Sequence, residues 1–277
     1  MSDNPSPPDA LDRTLAEMRE QLGLAKVGIG YERRINRRGF LIKTSTAAAF
    51  TGAAIYIARD NDIAWPGMGA DVLTTTGQIS RIELASSSRI ILAPRTAVDI
   101  RHEQGTSLVR LRHGTALYEP SGSRSTTPIR VETRMGVVEA ISVPFQMSVS
   151  SHSLTVSTAN IPITLRSLMG KLVPVPAGCT VVITSSGVVR TTARWDNVSA
   201  WTRGDLIIES GTLHDIIVGL RPYWDGHIVM SSRAAAIPAA GLFSLFQVDR
   251  TLGQLSADFP IQIAYLPFRT VLLTAIS

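Results

Sequence analysis

Five histidines (His102, His113, His152, His214 and His227) and one cysteine, Cys179, are the side chains of this sequence best suited to hold a metal or to act as base or nucleophile. The histidines are dispersed. None has a second ligand at the short spacing a zinc site requires, so each reads as a surface or strand-face residue. A single cysteine rules out an intrachain disulfide and a thiolate cluster. Ala177, Gly178 and Val181 around it point to a small buried thiol, the alternative being an exposed reactive one. There is no Gly-x-Ser-x-Gly elbow, no phosphate-cradling glycine loop and no paired-carboxylate signature, and a Ser/His pair could be assembled only from residues far apart in the chain. The sequence therefore nominates no catalytic, cofactor-binding or metal-binding residue, and it does not read as an enzyme. What remains is the chemistry of charge against lipid and of backbone against backbone.

The first of these is concentrated between Asn36 and Ala58. Arg33, Arg34, Arg37 and Arg38 stand at its start, and Thr44 to Ala58 carries no charge. A charge at the bilayer centre costs about 3 kcal/mol on insertion scales, so the uncharged run partitions into lipid and the arginines stay on the cytosolic side. The run reaches spanning length if Gly39 to Ile42 extend it and Lys43 snorkels to the headgroups. Residues 37–58 are expected to be a retained anchor. A cleaved signal peptide is the rival, weakened because Ala47 to Ala49 lie inside the apolar run rather than after it; a buried helix of a soluble protein is the third reading. Arg37-Arg38, Gly39, Phe40-Leu41 and Lys43 resemble the twin-arginine export signal, with Asn36 where that signal has Ser or Thr and the lysine one residue late.

Composition sets the remaining bounds. A chain of 277 residues with 44% hydrophobic content can bury a sizeable core and has room for two domains. The net charge of +5 owes much to the arginines beside the anchor, and no basic helix or aromatic-basic stripe accompanies it, which excludes nucleic-acid binding as a reading.

Along the chain, Met1 to Pro8 is proline-rich and polar, and is expected to be disordered. Leu11, Leu15, Met18 and Leu22 then fall on one helical face, which needs a partner helix, a second copy or a membrane surface to cover it; a marginal, frayed helix is the alternative. Arg59 to Gly69 reads as a linker. From Gln78 to Thr184 the period switches to alternation. Short runs at Gln78–Leu84, Arg89–Leu92, Ala97–Arg101, Ser107–Arg112, Thr115–Glu119, Ile129–Thr133, Val137–Ile141, Phe145–Val149, Leu154–Ser157, Lys171–Val175 and Thr180–Thr184 are separated by turn formers, predicting an all-β body. After it, strands at Asp205–Ser210, Ile228–Ser231, Gly241–Phe246, Ile261–Leu266 and Thr270–Ile276 are interleaved with two helices. The first carries Leu213, Ile216, Ile217 and Leu220, and the second, capped by Asp249, carries Leu252 and Leu255. That order is βαβ followed by βαβ.

Together these residues resemble the FecR family of inner-membrane signal transducers. Thr76-Gly77-Gln78 with Arg81, Ile82 and Leu84 is similar to the family's opening T-x-x-G-E run. Leu111 to Tyr118, which includes Gly114 and Ala116, is similar to L-x-x-G-E-A-x-F; Pro128 to Thr133 to P-F-x-V-x-T; and Trp201-Thr202-Arg203-Gly204-Asp205-Leu206 to W-x-x-G-x-L. The family's aspartate-glycine-serine turn is Ser86-Ser87-Ser88 here, and its leucine-glycine-threonine is Ile141-Ser142-Val143.

The resemblance implies a mainly β protein: a solenoid- or sandwich-like FecR domain (73–195) followed by a small α+β domain similar to the secretin and TonB N-terminal fold (196–277). A linker (59–72), the transmembrane anchor (37–58) and a short cytosolic segment (1–36) would precede them. It implies a single-pass inner-membrane protein with its bulk in the periplasm. On the cytosolic side the partner would be an extracytoplasmic-function (ECF) sigma factor met by Leu11, Leu15, Met18 and Leu22. On the periplasmic side it would be the N-terminal signalling domain of a TonB-dependent outer-membrane transporter for iron or siderophore uptake, paired through an edge strand of the final domain. The cytosolic segment departs from the family, with one helix before Arg33 and no tryptophan before Trp65. A membrane-anchored periplasmic scaffolding module without sigma-factor regulation is the alternative function.

Overall fold

The computed structural model describes residues 69–276 apart from 85–87, 104–105, 122–127 and 192. The expected anchor, the export-signal residues Arg37, Arg38, Phe40 and Leu41, and the helix with Leu11, Leu15, Met18 and Leu22 lie outside the described residues. Among those described, no helix is long and apolar enough to cross a membrane.

The protein is mainly β. Its larger region, the β body, contains β1 (Val72–Leu73), β2 (Ser80–Glu83), β3 (Arg89–Leu92), β4 (Ala97–Glu103), β5 (Thr106–Glu119), β6 (Ile129–Glu132) and β7 (Gly136–Ala140). It continues through β8 (Phe145–Val149), β9 (Ser153–Thr158), β10 (Ile163–Ser167), β11 (Leu172–Val175), β12 (Thr180–Thr184) and β13 (Gly187–Thr191). All belong to one 13-stranded sheet with the order β11-β10-β7-β6-β5-β8-β9-β12-β13 and two side branches from β5, β4-β1 and β3-β2; it curls into a half-barrel rather than stacking as solenoid repeats.

β5 makes the curl possible. Its first half pairs with β4 and β6 and its second half with β3 and β8, so one strand belongs to both halves of the sheet. The expected runs Ser107–Arg112 and Thr115–Glu119 are thus one strand, because Gly114 bends the chain at a bulge instead of ending it. Gly114 has φ +88°, and a Cβ there would lie 2.6 Å from the Thr96 Cα. Alternate residues of both halves meet inside: Leu92, Val98, Val109, Leu111, Met147, Leu154, Val156, Leu165 and Val181 are fully buried in a single core. At about 1.5–3 kcal/mol per buried aliphatic side chain, this core is what the body rests on.

The C-terminal region forms a second core from Leu213, Ile216, Ile217, Leu220, Leu252, Leu255, Val271 and Leu273. A short helix, α1 (Trp195–Val198), and a 3-10 turn (Ala200–Arg203) lead into β14 (Asp205–Thr212), α2 (Leu213–Leu220), β15 (His227–Met230), α3 (Ser232–Ala235), β16 (Pro238–Ser244), α4 (Val248–Asp258), β17 (Ile261–Leu266) and β18 (Thr270–Ala275). The Asp215 carboxylate accepts from the Thr212 N–H at 2.8 Å and starts α2 at the predicted residue. α4 starts at Val248 after Gln247, so Asp249 is not its cap; it lies in the first turn, where a carboxylate meets the positive end of the helix dipole. The strands flank the two main helices in the expected order but divide between two sheets, the antiparallel pair β14-β16 and the three-stranded β15-β18-β17.

Candidate functional site

The two sheets of the C-terminal region leave most of their strands with one neighbour. β14 pairs only with β16, and β15 and β17 pair only with β18. β18 lies between two strands, so the stretch Thr270–Ile276 is withdrawn as an edge candidate, while Asp205–Ser210 and Ile228–Ser231 remain.

These two edges are not equally open. In the parallel pair, His227 and Ser231 donate to the carbonyls of Arg269 and Leu273, so the intervening Ile228 turns its carbonyl to the free side. There the Arg221 guanidinium donates to it at 3.4 Å and closes some of the edge. β14 has no such cover among the described residues. Leu245 N–H donates to the Gly204 carbonyl, and the alternation carried forward places the N–H and C=O of Asp205 and Ile207 on the free side. Side chains follow the same alternation: Leu206 and Phe243 turn into the second core, whereas Ile207 faces Leu242 on the outside, where Leu242 is 66% exposed. An unpaired backbone row beside an apolar outer face is the arrangement that accepts an added strand.

Three of the five family-motif positions, Trp201, Gly204 and Gly77, lie where the β body meets the C-terminal region, not on this edge. Trp201 is half-buried and donates from Nε1 to the Gln146 Oε1 of β8 at 2.7 Å, which satisfies an otherwise buried amide. Gly204 ends the 3-10 turn at φ +88°, with the Phe246 ring where a Cβ would stand. Gly77, at φ +71°, donates to the Pro222 carbonyl at 3.0 Å. Gly114 and the buried Ala116 lie on β5, away from the other three.

Sequence reasoning missed several residues of this joint. Arg95, at φ 57°, reaches Thr76 Oγ1 with Nε and the Trp224 carbonyl with Nη2, both at 3.2 Å. Burial lowers the Arg95 pKa from its ordinary value, and Asp225 opposes that shift. Arg81 donates to the Thr202 carbonyl at 3.1 Å. Burial also raises the Tyr223 phenol above its ordinary value. Arg269 packs over the Trp224 ring at 5.1 Å. No motif could have found Arg95 or Gln146, which look like ordinary turn and strand residues.

The histidines stay apart, and among the described residues no three His, Cys, Asp or Glu side chains group as metal ligands. His102 has its Nδ1 3.3 Å from the Ser107 hydroxyl.

Comparison with known proteins agrees with this geometry. Residues 70–160, within the β body, match the family model described as FecR protein. Two crystal structures of proteins described as anti-sigma factors from Parabacteroides distasonis ATCC 8503 share the fold. One has a TM-score of 0.64 at 14% identity, covering 74% of this chain and 99% of that one. The other has a TM-score of 0.63 at 15% identity, covering 74% and 98%. That coverage runs well past residues 70–160, so the likeness includes some of what lies outside the family match. No curated protein matches the chain.

Proposed function

We propose that this chain is a transmembrane regulator of an ECF sigma factor, receiving its signal in the periplasm from a TonB-dependent outer-membrane transporter. The FecR match and the anti-sigma description of the two structural neighbours support the regulatory reading. Residues 37–58 would anchor the chain in the inner membrane, residues 1–36 would meet the sigma factor, residues 73–195 would form the periplasmic body, and residues 196–277 would form the receiving domain.

The observation that carries the periplasmic half is the open edge of β14, whose Asp205 and Ile207 backbone groups face away from β16 beside the exposed Leu242. A strand from the transporter's signalling domain would extend the β14-β16 sheet there. Main-chain bonds would give affinity, and Ile207 and Leu242 selectivity.

Ile207→Pro tests this, because proline deletes a donor on the free side without touching the β14-β16 ladder. The variant should stay folded and lose capture of the signalling domain, while a charge change at exposed Glu209 keeps it. A folded Ile207→Pro chain that binds as wild type rejects edge pairing and moves the docking surface to the β body. Retention of the sigma factor on membranes by the full-length chain checks the cytosolic half.

A further inference from the structure

Pro144, Ala159 and Gly178 line the floor of a cleft of about 440 Å3 at one end of the β body, within the ~300–1,000 Å3 range of small-molecule sites. Backbone bonds fix that floor. Ala159 donates to the Pro144 carbonyl at 3.2 Å and Thr158 to the Cys179 carbonyl at 3.3 Å, which ties the end of β9 to the residue before β8 and to the turn between β11 and β12. The remaining side comes from α1, whose Asn197 and Val198 N–H groups both donate to the Arg194 carbonyl at 3.1 Å and so seat Trp195 at the cleft.

The polar side chains around this cleft hold no part of the fold together. Among the described residues, Asn160, Arg194 and Asp196 make no side-chain hydrogen bond or ion pair, although Arg194 and Asp196 carry opposite charges and line the same cleft. The tryptophans differ in the same way. Trp201 and Trp224 commit their indole N–H groups to Gln146 and to the Arg269 carbonyl, whereas the N–H of the half-buried Trp195 has no partner among the described residues.

Together these groups combine an acceptor (Asp196), donors (Arg194 and the Trp195 indole) and an amide that does both (Asn160) beside a flat apolar ring. A sugar has the complementary chemistry: its hydroxyls donate and accept, and the C–H groups on one face of a pyranose ring pack against an aromatic plane. Charge would not select the ligand, because Arg194 and Asp196 are exposed, opposite in sign and screened by water. We infer that the cleft binds a neutral saccharide, with one sugar ring against Trp195 and its hydroxyls bonded to Asn160, Arg194 and Asp196. The site shares no residue with the β14 edge, so either can fail without the other.

The test titrates the full chain, in a detergent without a sugar headgroup, with maltose, cellobiose and N,N′-diacetylchitobiose, reading tryptophan fluorescence and saturation-transfer NMR of the sugar. At least one disaccharide should give a saturable fluorescence change and saturation of its ring protons, and Trp195→Ala should abolish both. Asn160→Ala and Asp196→Asn, at exposed positions that make no side-chain contact listed for the fold's hydrogen bonds, should each weaken binding about five- to tenfold while circular dichroism stays that of wild type. Lys171→Gln, exposed at the other end of β11, should leave binding unchanged. If Trp195→Ala fails to fold, the Asn160 and Asp196 variants decide. A folded wild-type chain that binds none of the three sugars overturns the inference, as does binding that survives the Asn160 and Asp196 substitutions. Saturable binding of the dipeptide alanylalanine, but of no sugar, overturns it as well.

Discussion

The β body and the C-terminal region solve the same problem, a sheet with an apolar side, in opposite ways. In the β body one long strand, β5, recruits neighbours on both sides over its whole length, so backbone polarity is spent inside a single sheet. Four of its thirteen strands, β1, β2, β11 and β13, have a neighbour on one side only, and of these β11 carries Pro174, which cannot donate to an added strand. In the C-terminal region a pair of helices is shared between two small sheets, and only β18 has a neighbour on each side. The first arrangement leaves four of thirteen strands open on one side, the second four of five. This contrast is why the strand-addition surface proposed above lies in the smaller region.

The largest expected effect tests whether the two cores are energetically separate. Leu252→Ala removes a fully buried side chain from the second core and should cost about 2–5 kcal/mol. In denaturant, the helical signal should then be lost before the β signal, whereas Leu111→Ala in the first core should lower the β transition. A single shared transition in both variants would show that the joint of Trp201, Gly77 and Arg95 binds the two regions into one unit.

A smaller, paired effect compares two glycines with the same φ. Gly114→Ala drives a Cβ against the Thr96 backbone and should cost about 3 kcal/mol, from strain and overpacking together. Gly204→Ala meets only the Phe246 ring, which is 61% exposed and can swing away, and should cost about 1 kcal/mol. Equal losses in midpoint denaturant concentration would mean that left-handed backbone, not crowding, sets both.

The smallest effect concerns pH. The hydrogen bond from Arg112 is the main cause that lowers the Asp99 pKa below its ordinary value. A lowered carboxylate adds stability above its unfolded pKa of about 3.9 and loses it as pH falls through the folded value. Asp99→Asn should therefore lower stability slightly near neutrality and flatten the acid limb, the two curves converging as pH falls through the folded value. Titration of the wild type and the variant by circular dichroism reads the difference.

Much of the strand content could be read from alternation. Arg89–Leu92, Phe145–Val149, Thr180–Thr184 and Ile261–Leu266 begin and end where the pattern does, and α2 follows Leu213, Ile216, Ile217 and Leu220. β10 escaped because Ile163 and Leu165 are its only inward apolar residues, too few for a periodic signal. β13 escaped because it is largely exposed and has no inside to declare. The division of the C-terminal strands between two sheets is a matter of pairing across distant residues, which no local period encodes. The open side of β14 follows from hydrogen-bond parity set at Gly204 and Leu245, and the closed side of β15 from one arginine seven residues away.

β1 has only two residues, held to β4 through Val72 opposite Val98 and Leu73 opposite Ala97. Tension on the chain ahead of Gly69 would peel this short zipper pair by pair, whereas β5, gripped from both sides, would have to shear many bonds at once. Behind it, the Thr74 hydroxyl donates to the carbonyl of Ala93 at 2.6 Å and accepts from the Thr96 N–H at 2.8 Å, a clasp that would yield next. The protein is thus mechanically graded, compliant where the chain arrives and stiff at its spine.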